Sequence, residues 1–153
     1  MRSALTFSAC LLSFALTGVA PAFAVPAGSD QAGTAAALPK VRGEWRWTDT
    51  AGCSETYVYA DDGSGHVISG EERSEMRYTF DPTPVGIGFF KLEATITKDH
   101  GGMDCAGSNE DDTSRLYTVY MKFSLDGDEH IVCLTPELKQ CFGPLKRQAD
   151  KPR

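Results

Sequence analysis

Cys53, Cys105, Cys133 and Cys141 are the residues whose type and spacing point most directly to chemistry. Two thiol chemistries compete for them, a zinc site and a pair of disulfides. Structural zinc sites gather cysteines in close pairs such as Cys-x-x-Cys. Here successive cysteines are 52, 28 and 8 residues apart, and His66, His100 and His130 are scattered between them. The spacing therefore predicts two disulfides and no metal, as in an exported chain. The fifth cysteine, Cys10, lies inside an apolar run with more apolar residues after it, a poor position for lipidation.

Acidic residues are the next chemical group. Asp99, Asp104, Glu110, Asp111 and Asp112 crowd one stretch with Gly101, Gly102 and Gly107. Hard oxygen ligands suit calcium, but the spacing matches no EF-hand. A solvated loop is the simpler expectation. A contact loop for a basic partner, such as a lysozyme-like enzyme, is the other, with Asp104, Glu110, Asp111 and Asp112 as its contact residues. Catalysis has little support. No Gly-x-Ser-x-Gly, His-Glu-x-x-His or Cys-Gly-x-Cys-Trp pattern occurs, and the three histidines read as surface residues at a turn edge, in a loop and at a strand start. The expectation is a protein that is not an enzyme, with no catalytic residue and no cofactor.

The chain that must position these groups begins with an export pattern. Arg2 supplies a positive start, Ala4 to Ala20 is mostly apolar, and Ala22-Phe23-Ala24 is a small-x-small cleavage site. This reads as a signal peptide over residues 1–24, cut after Ala24, with a periplasmic or secreted destination. The apolar run is interrupted by Ser8, Ser13, Thr17 and Gly18 and stops at Pro21, short of a membrane span. No later stretch is apolar enough to be a transmembrane segment. Removing residues 1–24 leaves 129 of 153 and takes the formal charge from −6 to −7, since Arg2 is lost and no acid. That length suits one domain. The acidic surplus and the lack of a Lys/Arg cluster argue against nucleic acid as a partner.

Residues 25–39 are rich in Ala and Gly, with Leu38 their one large apolar residue besides Val25. They cannot bury enough surface to offset the entropy of ordering, so they are expected to be a flexible lead-in. Residues 40–148 form the folded domain, and 149–153 a polar tail. Within the domain, alternation of apolar and polar residues marks strands. Val41–Thr48 places Trp45 and Trp47 on one face, and Glu55–Ala60 does the same for Tyr57 and Tyr59. Asp62-Gly63 is a turn signal before a strand from His66 to Ser69. Glu71-Glu72-Arg73-Ser74 fits either a loop or the continuation of one long bent strand. Met76, Tyr78 and Phe80 point one way, and Pro82 and Pro84 end that strand. Phe90, Leu92, Ala94 and Ile96 share a face against Lys91, Glu93, Thr95 and Thr97. A long loop follows, from Asp99 to Arg115. Tyr117, Val119, Met121 and Phe123 then face inward. Asp126-Gly127 makes another turn, and the last strands are His130–Leu134 and Gln140–Arg147. No amphipathic helix of three turns is present.

Eight short strands joined in sequence predict an all-β fold, an eight-stranded antiparallel up-and-down barrel; a two-sheet β-sandwich is the alternative. In such a barrel the first, third, fifth and seventh connections share one rim, so all four cysteines gather there. Cys53 with Cys105 and Cys133 with Cys141 is the favoured pairing. Cys53 with Cys141 remains open, because the last strand neighbours the first.

Gly43-x-Trp45 on the first strand, with Lys146-Arg147 on the last, resembles the calycin signature of lipocalins, fatty-acid-binding proteins and avidins. The resemblance implies that Trp45 closes one end of the barrel and that Arg147 packs over it, a cation–π contact that also caps apolar surface. Gly43, Trp45 and Arg147 are then structural. Tyr117-x-x-Tyr120 resembles a second lipocalin motif, although Arg115-Leu116 stands where that motif has Thr-Asp. The helix that follows a lipocalin barrel is missing. The chain also resembles the bacterial periplasmic inhibitors of secreted metalloproteases, which combine an export signal, a calycin-like barrel and Gly-x-Trp followed by a cysteine, here Cys53. Those inhibitors insert an N-terminal segment into the protease cleft. This chain differs in its four cysteines and its long acidic loop.

The first functional expectation is a small apolar or amphipathic ligand held inside the barrel by Tyr57, Tyr59, Tyr78, Phe90, Tyr117 and Phe123. The same residues also suit a filled interior, since eight strands leave room for side chains or one small ligand. The alternative expectation is an inhibitor or immunity-type protein that binds a secreted or periplasmic enzyme through its N-terminal arm or its cysteine-bearing rim.

Overall fold

The computed structural model describes residues 39–149. The expected signal peptide, nearly all of the lead-in and residues 150–153 lie outside the described residues. Eight strands follow one another: β1 Gly43–Thr48, β2 Ser54–Tyr59, β3 Ser64–Ser69, β4 Glu72–Phe80, β5 Phe90–Asp99, β6 Leu116–Phe123, β7 Glu129–Thr135 and β8 Lys139–Arg147. Each pairs antiparallel with the next, and β8 returns to β1, so the sheet is a closed barrel. Trp45 opposite Arg147 and Arg46 opposite Lys146 form the closing seam. Closure satisfies both edges of the meander and excludes the two-sheet sandwich.

Alternation decides the interior. Trp45, Tyr59, Met76, Leu92, Ala94, Ile96, Met121, Val132 and Leu145 are buried together, with Trp47, Tyr57, Tyr78, Phe80, Tyr117, Phe123 and Phe142 packed against them. Their outward neighbours on β5 include Thr97 and Lys98, which are exposed. One wet face and one dry face is the pattern of an antiparallel sheet in water.

Three details refine the expectations. Gly70 and Glu71 turn the chain between β3 and β4, so residues 66–80 are two strands and Glu72–Ser74 belong to the second. In the connection from β4 to β5, a short Val85–Phe89 bridge folds Phe89 against the outer side of the barrel. Phe89 is fully buried there, with the Lys122 ammonium 5.5 Å from its ring centre. The expectation of a surface histidine at position 130 is wrong: His130 is 1% exposed. It shares the inward parity of Val132 on β7, and Leu145 is its cross-strand partner.

Candidate functional site

The two ends of the barrel differ in chemistry. At the end where the described chain begins and finishes, Trp45 has no exposed surface. Its indole Nε1 donates to the Val41 carbonyl at 2.6 Å. The Arg147 guanidinium lies 4.0 Å from the ring centre. It also donates to the carbonyls of Arg42 and Lys40, both at 2.7 Å, and of Gly127 at 3.1 Å. An open depression of about 700 Å³ outside this plug is lined by Lys40, Arg42, Phe90, Phe123, Asp128 and Arg147 among others. Every donor of Arg147 that reaches a neighbour is spent on the chain's own backbone or on Asp128, which its Nε meets at 3.4 Å.

The opposite rim carries both disulfides, Cys53–Cys105 and Cys133–Cys141. The second joins direct cross-strand partners on β7 and β8. The first ties the connection between β1 and β2 to the long loop between β5 and β6. These are the favoured pairs, and Cys53 with Cys141 is excluded. Two disulfides are compatible with an oxidising, exported location.

The path of the long loop is built contact by contact. It leaves β5 at His100, whose N–H donates to the Arg73 carbonyl at 2.9 Å. It passes the β3–β4 turn, where the Glu71 N–H donates to the Met103 carbonyl at 2.9 Å. Two glycines allow that approach. A Cβ on Gly102 would sit 2.4 Å from the Glu71 oxygen, and one on Gly70 2.8 Å from the Met103 oxygen. Cys105 then reaches the β2–β3 side, where its N–H donates to the Ser69 hydroxyl at 3.0 Å. The return half ends at Asp112, whose N–H donates to Asp99 at 2.9 Å. The loop thus arches over the rim sector from β5 to β2 and comes back to β6.

Its acids divide by role. Asp104 accepts from the N–H groups of Ala106 at 2.9 Å and Ser108 at 2.6 Å, so it shapes the tip of the loop. Asp112 takes the Tyr117 hydroxyl and a guanidinium nitrogen of Arg115. Asp111 accepts from the Thr113 N–H at 2.9 Å while staying exposed, and the Thr113 side chain, with that N–H, holds its carboxyl below the usual range. Glu110 is exposed. Of the four expected contact residues, Glu110 and Asp111 are therefore presented outward, and Asp104 and Asp112 hold the loop that presents them.

Beneath the loop the mouth of the barrel is polar. Glu55 points inward and accepts from the Tyr57 hydroxyl at 2.6 Å and the Ser69 hydroxyl at 3.1 Å. Burial, reinforced by Glu55, pushes the Tyr57 hydroxyl well above the ordinary tyrosine value. Burial also raises the Glu72 carboxyl; Asp99, Asp104 and Asp112 add to the shift, and a hydrogen bond from Ser74 opposes it. Glu55 was legible in the sequence, because it shares parity with Tyr57 and Tyr59; its charge concealed it.

The six expected ligand-binding aromatics all face the interior, and all but Tyr117, whose ring lies by Arg115, meet another aromatic ring there. Tyr59 meets Tyr78 edge-on at 5.0 Å. Phe90 lies 5.8 Å from Phe80 and 6.0 Å from Phe123. Tyr57 lies 6.3 Å from Phe142. The hydroxyls of Tyr57, Tyr78 and Tyr117 are taken by Glu55, the Ala60 carbonyl and Asp112. Of the depressions, the one at the plug is lined in part by Phe90 and Phe123, and another of about 660 Å³ lies on the outer face of β2–β4, beside His66, Glu75 and His100. On that face His100 Nε2 is 2.9 Å from Glu75. Among the described residues no three His, Cys, Asp or Glu side chains are grouped to hold a metal ion, and no helix is long and apolar enough to cross a membrane.

Comparison with protein-family models, with curated proteins and with solved structures finds no match.

Proposed function

We propose that this chain is an exported, non-catalytic binding protein that engages a cationic protein surface through its cysteine-bearing rim. One observation carries the proposal. The inward aromatics pack on the buried core and most of them on one another, while the long loop is held outside by a disulfide and by backbone contacts to the β3–β4 turn. A held loop loses little freedom on binding, which favours affinity. Its outward charge, Glu110 and Asp111, and the acidic balance of the chain favour a basic surface and faster encounter with one. A secreted or periplasmic enzyme fits that description. Export rests on the pattern of residues 1–24 and is supported by the two disulfides. A calycin-type barrel is supported by Arg147 over Trp45.

A small amphipathic ligand is the second reading, and it draws its support from Tyr57 and Tyr117, both half-buried at the polar mouth. Native mass spectrometry of protein recovered from its own exported fraction separates the two. The protein-partner reading expects the bare chain mass, together with a complex that dissociates as salt is raised. A stoichiometric small organic mass on the chain, with no such complex, contradicts it.

A further inference from the structure

We propose that His130 makes the Trp45 end of the barrel an acid-opened latch: a proton on its ring loosens that end and frees the segment at Lys40–Arg42, while the disulfide-held rim stays assembled. His130 is 1% exposed, on β7. Its ring meets Trp45 edge-on at 4.2 Å between centres and lies 5.0 Å from Phe123. Neither ring nitrogen has a hydrogen-bond partner among the described residues. Buried polar groups are rarely left unpaired, and one that is calls for an explanation.

The groups around the ring give one. β1 presents Trp45, β6 presents Phe123, and β8 presents Leu145 and Arg147. The charged group that acts on the ring is Arg147, a cation. The nearby carboxylates are engaged elsewhere. Asp128 meets the Arg147 Nε at 3.4 Å, Asp126 accepts from the Ser124 hydroxyl at 2.6 Å, and Glu129 pairs with Lys146 at 3.5 Å. Of the cations beyond Arg147, Arg42 is paired with Asp61 at 3.2 Å. An imidazolium at this position has two donors and no acceptor, against a like charge. Burial and Arg147 accordingly hold the imidazole down to about 3.

The sign follows from that depression. In the unfolded chain the ring takes its proton near pH 6.5. Between that value and about 3 the unfolded chain binds a proton that the folded chain refuses, so stability falls as pH falls. Arg147 transmits the change. It covers the Trp45 ring and holds the carbonyls of Lys40 and Arg42, so expelling the imidazole removes a wall of the Trp45 site and undoes that anchor. The other rim has Cys53–Cys105 and Cys133–Cys141 to keep it together.

The test acidifies the oxidised chain from pH 7 to 3 and follows near-UV circular dichroism and tryptophan fluorescence, for wild type and His130→Phe. The wild type is expected to lose its tertiary signal at a midpoint roughly one pH unit or more above that of His130→Phe. Equal midpoints in two proteins folded at pH 7 would overturn the proposal. If His130→Phe fails to fold, ring-proton magnetic resonance of the wild type decides. His66 and His100 should then titrate in the intact fold, and His130 should gain its proton only together with loss of the tertiary signal. Reversible protonation of His130 with that signal intact overturns the latch.

Discussion

Trp45 and Arg147 are bound twice over. They are direct partners across the β1–β8 seam, and the guanidinium of one lies 4.0 Å over the ring of the other. The strand pairing that closes the barrel therefore also stacks the contact that plugs it. Trp45→Ala should cost about 3–5 kcal/mol, the usual range for a buried large aromatic. Arg147→Lys keeps the charge but loses the fork that reaches three carbonyls, and should cost about 1–2 kcal/mol. Urea unfolding measures both. Neither change touches the opposite rim, so partner affinity should hold at concentrations where the variants are folded.

The two disulfides should separate stability from recognition. On the chain-entropy account, removing Cys53–Cys105 by paired serine substitution costs about 4 kcal/mol, and removing Cys133–Cys141 about 2.5 kcal/mol, because the first closes the longer loop. Only the first pins the acidic loop. Its removal should speed hydrogen exchange in residues 101–112, whereas removal of the second should leave exchange there unchanged.

Gly102 tests the docking of the same loop without altering a covalent bond. Its φ is +110°, and an added Cβ would lie 2.4 Å from a backbone oxygen of Glu71. Gly102→Ala should therefore cost about 1–3 kcal/mol and expose the loop to limited proteolysis. Gly107→Ala is the control. It also has a positive φ, but nothing stands within 4 Å of its added Cβ, so it should strain the tip and leave the loop docked.

Glu72 carries the pH dependence of the mouth. Burial, with Asp99, Asp104 and Asp112 nearby, raises its carboxyl above the ordinary value. The folded protein thus prefers the protonated acid, and ionisation is a penalty that is full above the folded value and absent below the unfolded one. Glu72→Gln, which keeps an acceptor for the Ser74 hydroxyl, should raise the melting temperature at pH 7. The gain should vanish below about pH 4, as thermal melts across that range would show.

Much of the fold was legible because one period governs it. Phe90 to Thr97 alternates without a break, and it forms all of β5 but its last two residues, with Leu92, Ala94 and Ile96 buried. Asp62-Gly63 turned as expected, with the Asp62 carboxylate accepting from the Ser64 N–H at 2.9 Å. The parity of connections in a meander gathered the four cysteines at one rim, and the structure chose between the two pairings left open there. Residue type misled where it opposed parity: His130 sits at an inward position, and its polarity suggested the surface, while Glu55, also inward, was not singled out. Phe89 escaped notice because it lies in a connection, where no period applies. The path of the long loop had no local signal at all, since it is set by Cys53 and by the approach of Gly102 to Glu71, contacts between residues far apart in sequence.

The central claim is that the acidic rim binds a basic protein. The most direct measurement compares two full-length variants with wild type for capture of a partner from the exported fraction of the protein's own host, quantified by titration at two salt concentrations. Glu110→Lys with Asp111→Lys reverses the two outward charges of the loop, and should weaken capture at least about tenfold at low salt and abolish its salt dependence. Arg147→Lys, at the far end, should capture as wild type does. Undiminished capture by the charge-reversed loop, or loss of capture on changing Arg147 in a folded protein, would contradict the account.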